Sequence, residues 1–165
     1  MDIYLRNIVE EDWLDIAEIY KLGIETGNAT FEKEVPSWDV WNSSHLAKCR
    51  IAATLNDSIV AWAALTAVSS RCVYSGVAEV SVYVSPSFHG LKIGTRILSE
   101  LISQSEKEGI WTLQAGIFPE NKASIRLHEN LGFRIVGVRE KIGKMNELWR
   151  DTLLLERRSI KTGID

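Results

Sequence analysis

Two stretches of this 165-residue chain combine residue types and spacings that can do chemistry. The first, Val82-Tyr83-Val84-Ser85-Pro86-Ser87-Phe88-His89-Gly90-Leu91-Lys92-Ile93-Gly94-Thr95, runs from an apolar strand pattern through a Gly-containing loop into a helical pattern. First-turn N–H groups of a helix lack intrahelical acceptors, and the aligned peptide dipoles favour negative charge there. The amides of about Gly90 to Thr95 therefore make a seat for a pyrophosphate, with Gly90 and Gly94 allowing close backbone approach. The stretch matches neither G-x-G-x-x-G nor G-x-x-x-x-G-K-[ST], which removes the usual signatures of dinucleotide redox chemistry and nucleoside triphosphate hydrolysis. The second stretch is Asn121-Lys122-Ala123-Ser124-Ile125-Arg126-Leu127-His128-Glu129-Asn130-Leu131-Gly132-Phe133. Ser124, Leu127, His128 and Leu131 share one helical face. A hydroxyl and a titratable imidazole at the edge of an apolar face read as a helix lining a cleft.

Periodicity supplies the elements that must position these residues. Residues 3–8 alternate as a half-buried strand, and residues 9–24 switch to helical spacing with Trp13, Ile16, Ile19 and Tyr20 on the buried stripe. Thr26-Gly27-Asn28 breaks that helix, and a loop holding Phe31 runs to Pro36. Ser37 caps a second helix predicted to reach about Lys48. Strands are expected at 51–55 and 59–69 around an Asn56-Asp57-Ser58 turn, at 78–85, at 111–117, at 133–141 and at 148–156. Strict parity along 78–85 puts Glu79, Ser81 and Tyr83 on one face and Val80, Val82 and Val84 on the other. A helix over 93–107 ends at Gly109, and one over 121–131 has Asn121 as N-cap and Gly132 beyond its end. The tail from about residue 158 is polar. The string predicts one domain over residues 1–165, a mixed three-layer α/β architecture.

Composition narrows the function classes. Nineteen Lys and Arg against 22 Asp and Glu give a net charge of −3 with no basic block, which argues against a nucleic-acid binder held by phosphate contacts. No apolar run approaches a bilayer span, and the start of the chain has no export pattern, so the expectation is a cytoplasmic protein without a membrane contact. Cys49 and Cys72 stand alone, with no metal-ligand spacing, and both read as buried thiols with no metal site.

Taken in order, the strand, the loop, the downstream Asn and the Leu-His-x-x-Leu-Gly-Phe helix resemble the GNAT acetyltransferase superfamily. Thr26-Gly27-Asn28-Ala29-Thr30-Phe31, Arg71-x-x-Tyr74 before Glu79-x-Ser81-Val82-Tyr83-Val84-Ser85, and Trp149-x-Asp151 resemble its phosphinothricin acetyltransferase-like branch, which acts on methionine sulfone, methionine sulfoximine or phosphinothricin. The likeness covers roughly residues 2 to 157. In the family loop, Gln or Arg usually stands at His89 and Gly at Lys92, and only Gly94 is retained; the approach to Trp149 also departs, reading Lys144-Met145-Asn146-Glu147-Leu148.

The resemblance implies a central, mostly antiparallel twisted sheet with helices on both faces, acetyl-CoA as co-substrate, a small-molecule amine acceptor and a homodimer. It places the cofactor on Val82, Tyr83, Val84, Gly90, Leu91, Lys92, Ile93, Gly94, Thr95, Asn121 and Ser124. Val82 and Val84 would pair with an extended pantetheine arm as an added strand. Glu79 is the expected base for the ammonium, directly or through a water, and a protonated His128 the expected acid for the departing thiolate. Arg71 would hold an acceptor carboxylate, Phe31 would wall the side-chain pocket, and Tyr74 would donate to a sulfone, sulfoximine or phosphinate oxygen. Detoxification, antimetabolite resistance and metabolite repair would all use this machinery. Two other readings are a peptide N-acetyltransferase, which needs an open groove, and an acyl-CoA sensor without turnover, against which Glu79 and His128 count.

Overall fold

Alternation along one central strand divides the interior in two. The computed structural model describes residues 2–164, with strands β1 (Ile3–Asn7), β2 (Ile51–Leu55), β3 (Ser58–Ala67), β4 (Val77–Val84), β5 (Thr112–Ile117), β6 (Arg134–Met145) and β7 (Leu148–Arg158). On β3, Ala61, Ala63 and Leu65 face one core while Trp62 and Ala64 face another, as the two-residue period requires. The first core is completed by α3 (Ile93–Lys107) and α4 (Lys122–Asn130), through Ile93, Ile97, Leu98, Leu101 and Ile125. The second is filled by α1 (Trp13–Glu25) and α2 (Trp38–Ser44), through Ile16, Ile19, Tyr20 and Trp41. Helices thus cover both faces of one seven-stranded sheet, ordered β1-β2-β3-β4-β5-β7-β6.

Every neighbouring pair is antiparallel except β4 and β5. That pair makes three rungs, Val77 with Thr112, Ala78 with Leu113 and Glu79 with Gln114, and then separates. Beyond Glu79, β4 stays paired to β3 as far as Val84, and β5 stays paired to β7 as far as Ile117. The sheet opens there into a wedge.

Several expectations change in detail. The second helix stops at Ser44 and not near Lys48, because His45 turns extended and Arg50 takes the carbonyls of Asn42, His45 and Leu46. The β6–β7 hairpin is longer than expected, reversing at Asn146 and Glu147, both left-handed. The polar tail is tied down: buried Ser159 donates its hydroxyl to Glu106, which also pairs with Arg157. Cys49 is buried, which pushes its thiol up to about 11, but Cys72 is exposed in a 3-10 turn. Its neighbours in the loop before β4 pack on no core, so the small-hydrophobe reading fails there.

Among the described residues no helix is long and apolar enough to cross a membrane, and no group of three His, Cys, Asp or Glu could hold a metal ion. Leu101 is fully buried whereas Leu14 is 82% exposed. Leu101→Ala is therefore expected to cost about 2–5 kcal/mol in urea unfolding, and Leu14→Ala close to nothing.

Candidate active site

The wedge leaves backbone donors without partners. Ser85 N–H bonds Val60 O on β3, and Thr112 N–H bonds Gly76 O from the β5 side. Strand alternation then turns the N–H groups of Val82 and Val84 toward the gap, where no rung continues. The chain next passes through the turn at Pro86 to Phe88 and reaches α3. Lys92, its N-cap, is left-handed at φ 59 and supplies no side-chain cap. Among the described residues, none of the six successive backbone N–H groups from Gly90 to Thr95 donates to a protein acceptor. These N–H groups meet the helix dipole at the same spot, which is the physical requirement for seating a diphosphate.

Side chains keep that seat open. Gly90 needs its φ of +80, and a Cβ on Gly94 would meet Leu127 of α4 at 3.2 Å, so Gly94 lets the two helices close up behind the loop. Lys92 is exposed and stands among the residues around this seat. His89 donates from Nε2 to Val84 O at 3.0 Å, which satisfies a carbonyl that would otherwise face an anion. A cavity of about 560 Å³ runs from this loop along Val82 and Val84 to Asn121 and Ser124. Leu91 does not line it. Tyr83 lines it too, but its ring stacks on Trp62 at 4.7 Å beside Tyr20, so its hydroxyl belongs to the aromatic core under α1. Burial there pushes that phenol well above its ordinary range.

Val82, Tyr83, Asn121 and Ser124 also line a second cavity of about 380 Å³, together with Ala115, Gly116 and Ile117 of β5. Glu79, Phe31 and His128 line it as well. Glu79 is half-buried, and its Oε2 accepts from Gln114 Nε2 at 2.9 Å across the last β4–β5 rung. His128 is 4% exposed and lies 2.8 Å by Nδ1 from Ser124 O. A carbonyl only accepts, so Nδ1 carries the hydrogen and Nε2 is the acceptor of the neutral ring. Burial pushes the imidazole below its ordinary value, against a smaller opposing pull from that bond. The expected protonated His128 is therefore replaced by a neutral ring that must take up a proton before it can give one.

Asn121 caps α4 by accepting from Ser124 N at 3.1 Å and donates to Asn28 O at 3.2 Å, joining the helix to the Thr26–Phe31 loop. Arg150 clasps the same loop: it bonds Gly27 O and Asn28 Oδ1, pairs with Glu120, and lies 3.7 Å from the centroid of Phe118. Phe118 meets Phe31 edge-on at 4.9 Å. Arg71 and Tyr74 are exposed in the β3–β4 connection, with the guanidinium over the phenol ring at 5.4 Å, and line neither cavity. Gln114 and Arg150 were not anticipated. Gln114 stands in an alternating strand pattern and Arg150 between Trp149 and Asp151, but neither pattern names a partner.

The pattern of known proteins agrees with this geometry. The model of the Acetyltransferase (GNAT) family matches residues 9–133. The chain belongs to the GNAT acetyltransferase family. It is 32% identical over 161 residues, 93% of this chain and 81% of the relative, to a phosphinothricin N-acetyltransferase of Alcaligenes faecalis. It is 37% identical over 78 residues, 47% of this chain and 46% of the relative, to an L-methionine sulfoximine/L-methionine sulfone acetyltransferase of Salmonella typhimurium. A solved GNAT phosphinothricin acetyltransferase from Sinorhizobium meliloti, in complex with AcCoA, superposes with a TM-score of 0.89 at 28% identity, covering 100% of this chain and 92% of that one. As a GNAT acetyltransferase, this enzyme uses acetyl-CoA as acyl donor, and the free amides along the wedge fit that group.

The tautomer of His128 is directly measurable. Long-range 1H–15N correlation spectra at pH 7 are expected to show hydrogen on Nδ1, with a titration midpoint below 6.5. Folding then favours the neutral ring. The ring's contribution to stability is complete above the unfolded value and is lost as pH falls through the lowered one. A hydrogen on Nε2 at pH 7, or a midpoint above 6.5, contradicts the assignment.

Proposed function

We propose that this enzyme transfers the acetyl group of acetyl-CoA to the α-amine of a small amino-acid-like acceptor, of the methionine sulfone, methionine sulfoximine or phosphinothricin type, by direct attack in a ternary complex. The observation that carries the reading is the meeting of two cavities at Val82 and Ser124: a donor channel lined by free amides and a chamber containing one carboxylate. Glu79 takes the proton of the incoming ammonium, its orientation set by Gln114. The neutral amine attacks the thioester carbonyl, a C–N bond forms and the C–S bond breaks. The Val82 N–H is placed to stabilise the developing oxyanion. The second amine proton passes to His128 Nε2 and from there to the departing thiolate, which makes His128 a relay.

Chamber size favours a small acceptor over a peptide. Phe31 and Phe118 close its wall, and Phe31 lies so near the β6 backbone that a Cβ on Gly143 would meet its ring at 2.7 Å. Arg71 and Tyr74 stand outside the lining of both cavities, so this reading gives them no role within one chain. An exposed sheet edge supports a homodimer. β6 is one of the two terminal strands, and Val136, Val138, Leu148 and Trp149 of its hairpin are exposed at 44%, 57%, 69% and 60%. A second copy covers such an apolar edge in a homodimer.

Following free-thiol release from acetyl-CoA with methionine sulfone, methionine sulfoximine, phosphinothricin and a peptide is expected to give turnover with one or more of the first three. Glu79→Gln should lower kcat by about 10²- to 10⁴-fold at neutral pH while acetyl-CoA affinity stays within about twofold; an equal loss of both removes its role as base. Light scattering should return twice the 18.6 kDa chain mass, and a monomer at micromolar concentration contradicts the dimer.

A further inference from the structure

We propose that Arg139 is the anchor for the acceptor's carboxylate, so that the chamber selects zwitterionic amino acids by gripping the acid group while Glu79 faces the amine. This assignment rests on the transferase reading above and adds to it the group that sets acceptor class.

The outer hairpin is irregular where it meets the chamber. Arg139 pairs with Thr152 and Gly143 pairs with Arg150, so residues 140–142 of β6 bulge opposite Asp151 alone. The bulge is held in place. Lys141 is left-handed at φ 47, and its N–H donates to Asp151 Oδ1 at 2.7 Å. A bulge bends its strand and re-aims the side chains beside it, and here Arg139, Ile142 and Gly143 all line the acceptor chamber. The Asp of the Trp149-x-Asp151 element thereby fixes the backbone that presents Arg139.

Charge points the same way. Among the described residues lining the chamber, Arg139 is the one fixed cation and Glu79 the one carboxylate, and His128 is neutral. The chamber therefore presents one positive and one negative group to a ligand that carries one of each. Arg150, beside the chamber, is already engaged by Gly27, Asn28 and Glu120. Arg139 makes no ion pair or side-chain hydrogen bond among the described residues. A guanidinium offers two parallel donors that match a carboxylate, a geometry that an amide or alcohol cannot reproduce. Arg71, the anchor expected from the sequence, lies outside the chamber.

Kinetics with methionine sulfone and its carboxamide, which lacks only the negative charge, test the assignment on the full-length protein. Wild type should prefer the acid, and Arg139→Gln should raise KM for the acid relative to the carboxamide by about tenfold or more, with Arg139→Lys recovering part of the preference. Acetyl-CoA affinity serves as the check that each variant is folded. No preference in wild type, an equal rise in KM for both compounds, or a charge-selective loss in Arg71→Gln but not in Arg139→Gln overturns the role of Arg139. Wild-type protein that binds acetyl-CoA yet releases no thiol with any of the small acceptors or the peptide contradicts the transferase reading instead.

Discussion

The separation of two parallel strands after three rungs is the constraint on which this molecule's chemistry depends. A sheet interior ordinarily leaves no main-chain donor free. Here β4 keeps its partner on one side and loses it on the other, because β5 follows β7 and not β4 beyond Gln114. Unpaired N–H groups are left in the middle of the fold as a result. They form a row of oriented dipoles that an extended amide-bearing ligand can pair with, leading straight to the bare N-terminus of α3. Had the ladder run on to Val84, neither cavity would exist and Glu79 would face a closed sheet.

Around this gap the structure distributes its charges so that each element keeps the gap open or aims something into it. Gln114 sits on the last rung and orients Glu79. Asn121 and Arg150 fasten the Thr26–Phe31 loop over the opening from two sides, one from α4 and one from β7. Behind the sheet, the stacked Trp62 and Tyr83 and the edge-on Tyr20 give β4 a rigid backing. The donor side presents backbone N–H groups, and His89 and Lys92 change the side chains there without taking up those N–H groups. The proposed acceptor anchor, by contrast, is a side chain on β6, which lies beyond the residues 9–133 that the family model matches.

Much of the architecture was legible from local pattern. The period switch at residue 9, the parity of β4, the caps at Ser37 and Asn121 and the helix over 93–107 each depend on neighbours in sequence, and these elements form where the pattern puts them. What failed to show was long-range. The end of α2 is set by Arg50, the order of the tail by Glu106, and the length of the outer hairpin by two left-handed residues at its tip. The residues of the proposed donor seat lie side by side in the sequence because one helix start gathers them. The role proposed for Arg139 has no such signal, since a bulge that depends on a hydrogen bond between Lys141 and Asp151 leaves no periodic trace. For His128, residue type and helix face were readable, whereas its protonation state follows from burial and one carbonyl contact that only the fold supplies.

Main-chain N–H groups receive the donor in this mechanism, and backbone 1H–15N spectra recorded while coenzyme A is added observe those groups one by one. The amides of Val82, Val84 and Gly90 through Thr95 are expected to shift to lower field together and to saturate at one equivalent per chain. If coenzyme A binds while these amides stay in place and others move, the wedge between β4 and β5 is not the donor site and the mechanism built on it fails.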